Sequence, residues 1–132
     1  SGESQVEIGA PVLIDGVIVG KIIKVQGSKS IAAPLVAAGI KTAATLPGIT
    51  ATGGIVEGEL NVAAVLSFIP KDVAVHPGMP IITSGLEERI PRGLLIGTVE
   101  QVSADPQDLF QIAKLKVPAR LQEASIVSII VL

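Results

Sequence analysis

Apolar residues recur along the chain mostly at every second position, in short runs closed by glycine or proline. From Val17 the order VIVGKIIKV puts Val17, Val19, Lys21, Ile23 and Val25 on one side and Ile18, Ile22 and Lys24 on the other. From Leu94 the order LLIGTVEQV sets Leu95, Gly97, Val99 and Gln101 against Leu94, Ile96, Thr98, Glu100 and Val102. A period of two is that of a strand. Further strands are predicted over 60–68, 81–84, 109–117 and 126–132, where β-branched residues suit a pleated, half-buried surface. Residues 31–44 are rich in alanine, but Pro34 and Gly39 interrupt any helix, so a strand, a turn and a second strand are predicted. One helical turn is predicted near 106–109, with Asp105 as its N-cap and Pro106 at the first helical position. The glycine-rich segment 48–58, GITATGGIVEG, is expected to be a mobile loop. Many short strands closely punctuated by turns make the chain all-β, a barrel or a sandwich.

One phrase occurs twice. GAPVLIDG begins at Gly9 and GMPIITSG at Gly78, and the sequels are GVIVGKIIKV from Gly16 and GLLIGTVEQV from Gly93. A proline near the start of each unit cannot donate to a ladder, so it suits the first residue of an edge strand. The glycine that closes each phrase permits the positive φ of a tight turn. Gly20 and Gly97 sit mid-strand, where a missing side chain allows a bulge or a barrel corner. In the first copy the phrases share Gly16, whereas the second inserts the charged loop LEERIPR over 86–92. Duplication of a strand–turn–strand unit predicts two related β lobes, each too small to be robust alone and therefore sharing an interface.

Composition narrows the function. In 132 residues, 48% hydrophobic, there are only two aromatic residues, Phe68 and Phe110, so the core is built from Val, Ile, Leu and Ala. A net charge of −2 and the lack of aromatic–basic interleaving argue against nucleic acid as a partner. Without cysteine there is neither disulfide nor thiolate chemistry. The longest uncharged apolar stretch, 31–40, falls well short of the roughly 20 residues that span a bilayer. The opening SGESQ has the small polar character of a cloning remnant, and residues 1–8 are assigned to a linker ahead of a trimmed fragment.

Asp72, His76 and Ser84 occur in an order that a hydrolase triad uses, yet they fall on one short local segment and Ser84 lies in T-S-G rather than G-x-S-x-G. The S-x-x-K and K-T-G motifs of penicillin-recognising enzymes are absent. GSKS over 27–30 lacks the upstream glycine of a phosphate loop and reads as a hairpin turn. With one histidine and no D-x-D-x-D run, no metal site is predicted. Glu87 and Glu88 beside Arg89 and Arg92 read first as a solvated loop and second as a partner contact. No catalytic residue and no cofactor is assigned.

The ordered motifs of the second half closely resemble the rod shape-determining MreC family. They are the phrase from Gly78 through Thr83, Ser84, Gly85 and Leu86, then Pro91 with Gly93, Ile96 to Val99 with Gly97, Leu109 with Phe110, and the run 127–132. GVIVGKIIKV, GGIVEGEL and FIPKDVAV extend the likeness more loosely back to about Gly9, whereas Met79 departs from a common aspartate and 30–52 carries few marks. The resemblance implies two small six-stranded-type barrel lobes packed like the chymotrypsin double barrel without its catalytic residues. It also implies a non-enzymatic scaffold on the extracytoplasmic side of the bacterial inner membrane, tethered by an N-terminal helix. The implied partners are the elongation-specific class B penicillin-binding protein, with MreD, RodA, RodZ and MreB as complex members. The implied role is rod-shape maintenance by activating that transpeptidase. Self-assembly into a dimer or filament is the rival reading.

The lobes are expected over 9–70 and 71–132, and the pattern leaves open whether a returning strand at 126–132 is exchanged between them. The partner face is expected in the first lobe, around Ile31, Leu35, Val36, Ile40, Ile49 and Ile55, where apolar residues exceed what a small barrel can hide.

Overall fold

The computed structural model describes residues 6–49, 53–60 and 62–118, together with the backbone of 125–127. Every regular element among them is a strand. They are β1 (Pro11–Ile14), β2 (Val17–Gln26), β3 (Lys29–Pro34), β4 (Lys41–Thr45), β5 (Gly54–Glu59), β6 (Ala63–Pro70), β7 (Pro80–Thr83), β8 (Leu95–Ser103), β9 (Phe110–Lys116) and β10 (Ser125–Val127). Six of these, β4 to β9, close into an antiparallel barrel in the order β4-β5-β6-β9-β8-β7, with β7 returning to β4. Among the described residues the other four form an open antiparallel sheet, β1-β2-β3-β10. It joins the barrel through one parallel bridge, Val17 to Leu95.

The division expected between residues 70 and 71 falls inside the closed barrel, between β6 and β7. β4 pairs with β5 on one side and with β7 on the other, so early and late strands cannot part without opening the barrel. The late strand β10 lies beside β3, Ile126 opposite Ile31, in the sheet that the start of the chain builds.

The doubled phrase is a doubled hydrogen-bonding scheme. Gly9 N donates to Ile22 O at 2.8 Å and Ile22 N to Ala10 O at 2.9 Å; Gly78 N donates to Val99 O at 2.7 Å and Val99 N to Met79 O at 2.8 Å. Val12 faces Gly20 as Ile81 faces Gly97, and in each pair the second strand carries the bulge, its extra residue being Val19 in β2 and Ile96 in β8. Gly9 and Gly78 have φ of 95° and 92°, a region that side chains resist. The likeness continues into a third strand, since β2–β3 and β8–β9 slip register at corresponding places, 22/24 and 99/101. The open sheet thus repeats the arrangement of β7, β8 and β9.

Segment 48–58 is not all loop, because β5 begins at Gly54. A Cβ on Gly54 would stand 2.7 Å from Ala44 O, and one on Gly58 would stand 2.4 Å from Leu35 O, so glycine here serves close backbone approach. Positions 50–52 lie outside the described residues. Strict alternation fails in β2, where residues 18–22 are buried in succession. Ile18 enters the barrel core with Leu66, Ile81 and Ile96, while Val19 and Ile22 pack with Val12 and Ala32 in a smaller core. β2 is covered on both faces because it lies between the two units.

Candidate functional site

The signature residues Thr83, Ser84, Gly85 and Leu86 open the loop between β7 and β8. Thr83 is fully buried, and its Oγ1 donates to Pro91 O at 2.6 Å while accepting from Leu94 N at 3.0 Å. Thr83 N donates to Leu94 O, and Gly93 N to Thr83 O, at 2.9 and 3.0 Å. One hydroxyl and two backbone bonds therefore pinch the loop at its neck. Ser84 N bonds Ala43 O at 3.1 Å, and its hydroxyl accepts from Leu86 N at 3.4 Å. At Gly85, with φ of 80°, a Cβ would come within 2.9 Å of Arg92 Cβ. Ile90, 3% exposed, plugs the loop into the barrel core.

From this anchored neck the charged residues reach outward as a strap. Glu87 Oε1 accepts from Ala43 N at 3.0 Å, and Oε2 pairs with Lys21 Nζ at 2.5 Å. Lys21 Nζ also donates to Lys41 O. Arg89 Nε donates to the Glu7 carboxylate, which raises the guanidinium pKa further above its ordinary value. Arg92 donates to Ile49 O at 2.9 Å. Glu7 and Lys21 belong to the open-sheet unit, Ala43 and Ile49 to the barrel side. Glu87 is accordingly neither a solvated charge nor a free partner contact: it is consumed in holding the two units together.

The other predicted residues are dispersed. Leu35 and Val36, each 2% exposed, are packed inside and cannot present a partner face, since the crossing from β3 to β4 runs over β5 at Gly58. Ile31, Ile40, Ile49 and Ile55 are half-buried. Gly97 is buried where β8 meets β9, and a Cβ there would lie 2.5 Å from Lys116 O. Pro91, Gly78 and Gly93 are exposed turn residues. Of the triad-ordered residues, Ser84 is buried at the loop neck, whereas Asp72 and His76 are exposed on the turns before β7. A cleft of about 460 Å³ between Gly39, Gly58, Glu57, Glu59, Leu60 and Lys114 has no serine, threonine or histidine among its described lining residues.

What the sequence reading missed lies at the far end of the barrel. Phe68 and Phe110 are 49% and 42% exposed, and their rings meet edge to face at 5.7 Å and 80°. Leu109 and Ile112 beside them are exposed as well. The available signal was Leu109–Phe110 following the polar stretch SADPQD, but the pairing of Phe110 with Phe68 arises only from the β6–β9 register.

Comparison with known proteins gives a consistent answer. Residues 2–131 match the family model described as rod shape-determining protein MreC, barrel core. Over 65 residues the chain is 34% identical to the cell shape-determining protein MreC of Listeria monocytogenes, an alignment covering 49% of this chain and 22% of that protein. Most of that relative's length therefore has no counterpart in these 132 residues. A solved Listeria MreC superposes with a TM-score of 0.78 at 25% identity, covering 92% of this chain and 60% of the other. MreC from Pseudomonas aeruginosa does so with 0.74 at 21% identity, covering 93% and 81%. A complex between Penicillin-Binding Protein (PBP2) and MreC from Helicobacter pylori contains a chain with a TM-score of 0.69 at 16% identity, covering 88% and 73%.

Proposed function

Because the chain belongs to the rod shape-determining MreC family, we propose that it is a non-enzymatic scaffold of the bacterial cell-elongation machinery, maintaining rod shape by binding an elongation-specific class B penicillin-binding protein and favouring its active state. The observation that carries this reading is the family match across nearly the whole chain. The Helicobacter pylori MreC, which shares the fold, was solved in a complex with Penicillin-Binding Protein (PBP2). The strap adds a physical reason, since a molecule whose two units are pinned by Glu87 and Arg89 presents a preformed surface and loses little freedom on binding. Activation requires the surface to bind the active state more tightly than the inactive one. On this reading the protein works on the extracytoplasmic side of the inner membrane, tethered by a preceding helix, in a complex with MreD, RodA, RodZ and MreB.

Calorimetric titration of the chain into the purified extracytoplasmic part of the elongation transpeptidase tests the reading. Saturable binding together with a faster transpeptidase is expected; no association would overturn it. A second reading, self-assembly into a dimer or filament, is favoured by one observation: among the described strands β1 pairs only with β2 and β10 only with β3, leaving two edges to pair elsewhere. Sedimentation across a concentration series separates the two, because an adaptor stays monomeric where an edge-pairing protein does not.

A further inference from the structure

We propose that the face made by Phe68, Leu109, Phe110 and Ile112 is the surface on which the penicillin-binding protein docks, and that its counterpart is an apolar patch with a basic rim. The inference rests on the scaffold reading and names the site within it.

Economy of aromatic residues is the first argument. The chain has two aromatic rings, and neither fills the core. Both are outside, in contact with each other, extended by Leu109 at 81% exposure and Ile112 at 44%. β9 alternates cleanly here, Gln111 and Ala113 facing in while Phe110 and Ile112 face out. Scattered exposed aliphatics are ordinary, but a contiguous group containing both rings is the composition of an interface centre.

Backbone strain is the second. Phe68 has φ of 64°, in the left-handed region where a bulky side chain is an outlier. It lies within the bulge between Leu66 and Ile69 in the β6–β9 ladder, and the extra residue leaves Phe68 exposed while Leu66 and Ile69 stay buried. Glycine would adopt this φ without steric strain, yet the position carries a phenylalanine. Strain retained at an exposed ring points to use of the ring.

The rim supplies the occupant's charge. Gln111 Nε2 donates to Pro70 O at 3.0 Å and Val73 O at 2.6 Å, holding the 70–73 turn against β9. Lys71 Nζ donates to Asp105 O at 2.5 Å, tying that turn to the one at 105–108. The two turns carry Asp72, Asp105 and Asp108 against Lys71 alone, an excess equal to the net charge of −2 on the whole chain. Among the described residues none of the three carboxylates is in an ion pair. A partner with Lys or Arg around an apolar centre complements this face, whereas an acidic one is repelled.

The test titrates the chain and its variants into the same purified transpeptidase, at low and physiological salt, with thermal melting of each variant. Phe68→Gly and Ile112→Asp are each expected to weaken binding by about tenfold or more while melting within a few degrees of the parent. Asp108→Lys is expected to flatten the salt dependence of the association rate. Ile8→Ser, an exposed aliphatic change on the other unit, should bind within about twofold of the parent. Patch variants that fold and bind like the parent overturn this site while leaving the scaffold reading intact. A parent chain that does not bind removes both.

Discussion

Gly97 and Phe68 show opposite relations between a residue and its backbone. At Gly97 a side chain has no room, since its Cβ would sit 2.5 Å from Lys116 O, a backbone atom that cannot step aside without parting β8 from β9. Gly97→Ala should cost about 1–3 kcal/mol, as overpacking in a tight interior does, read as a lower urea midpoint at unchanged slope. At Phe68 the side chain has room but the backbone objects. Phe68→Gly removes a left-handed penalty of about 1–2 kcal/mol. It also forfeits an edge-to-face contact worth about 0.5–1.5 kcal/mol and adds glycine's unfolded-state entropy. The terms nearly cancel, so stability should hold within about 1 kcal/mol while binding falls. Thr83 shows why T-S-G is structural: Thr83→Val keeps the volume but strands Pro91 O and Leu94 N. A loss of about 1–3 kcal/mol is expected, measured by chemical denaturation.

Between residues and the whole stand the elements, and here the sequence was most legible. The spacing of Gly9, Pro11 and Gly20 against Gly78, Pro80 and Gly97 encodes two β-hairpins bonded alike, because proline and glycine act through the backbone, which pattern reading can follow. The third repeated strand left no such trace. β3 and β9 share a register but not a phrase, since neither contains a glycine that its geometry demands. The strap was illegible for a different reason: Lys21 lies 66 positions from Glu87, and a charge-rich loop looks the same whether it meets water or a distant lysine. Its meaning is open to a double-mutant cycle. Lys21→Met and Glu87→Gln should each destabilise by about 1–3 kcal/mol, because each leaves a partly buried group unpaired. The double variant should lose clearly less than their sum. Additive losses would mean the pair contributes nothing as a pair.

At the scale of the molecule the question is whether barrel and open sheet behave as one body. The sequence predicted two units from the repeat, but it could not show that early strands complete the later barrel, because closure depends on β4 meeting both β5 and β7. Nor could it find the aromatic face, which the β6 bulge and the β6–β9 register create together. Among the described residues, what crosses between the units is modest in backbone terms, a parallel bridge and the bond from Leu35 N to Val19 O, with the strap beside them. In side-chain terms it is larger. Ile18, on a strand of the open sheet, is wholly buried in the barrel core beside Leu35, while the next residue, Val19, serves the smaller core. Ile18 is thus the bolt between two cores, and Ile18→Ala should cost about 2–5 kcal/mol, the range for emptying such a site. It should also change the form of melting. If Ile18 couples the units, the parent is expected to melt in a single calorimetric transition that broadens or splits in the variant, where the van't Hoff enthalpy falls below the calorimetric one. Should Ile18→Ala merely shift one sharp transition downward with the two enthalpies equal, the strap and the bridge would suffice for cooperativity, and the bolt would be only another core residue.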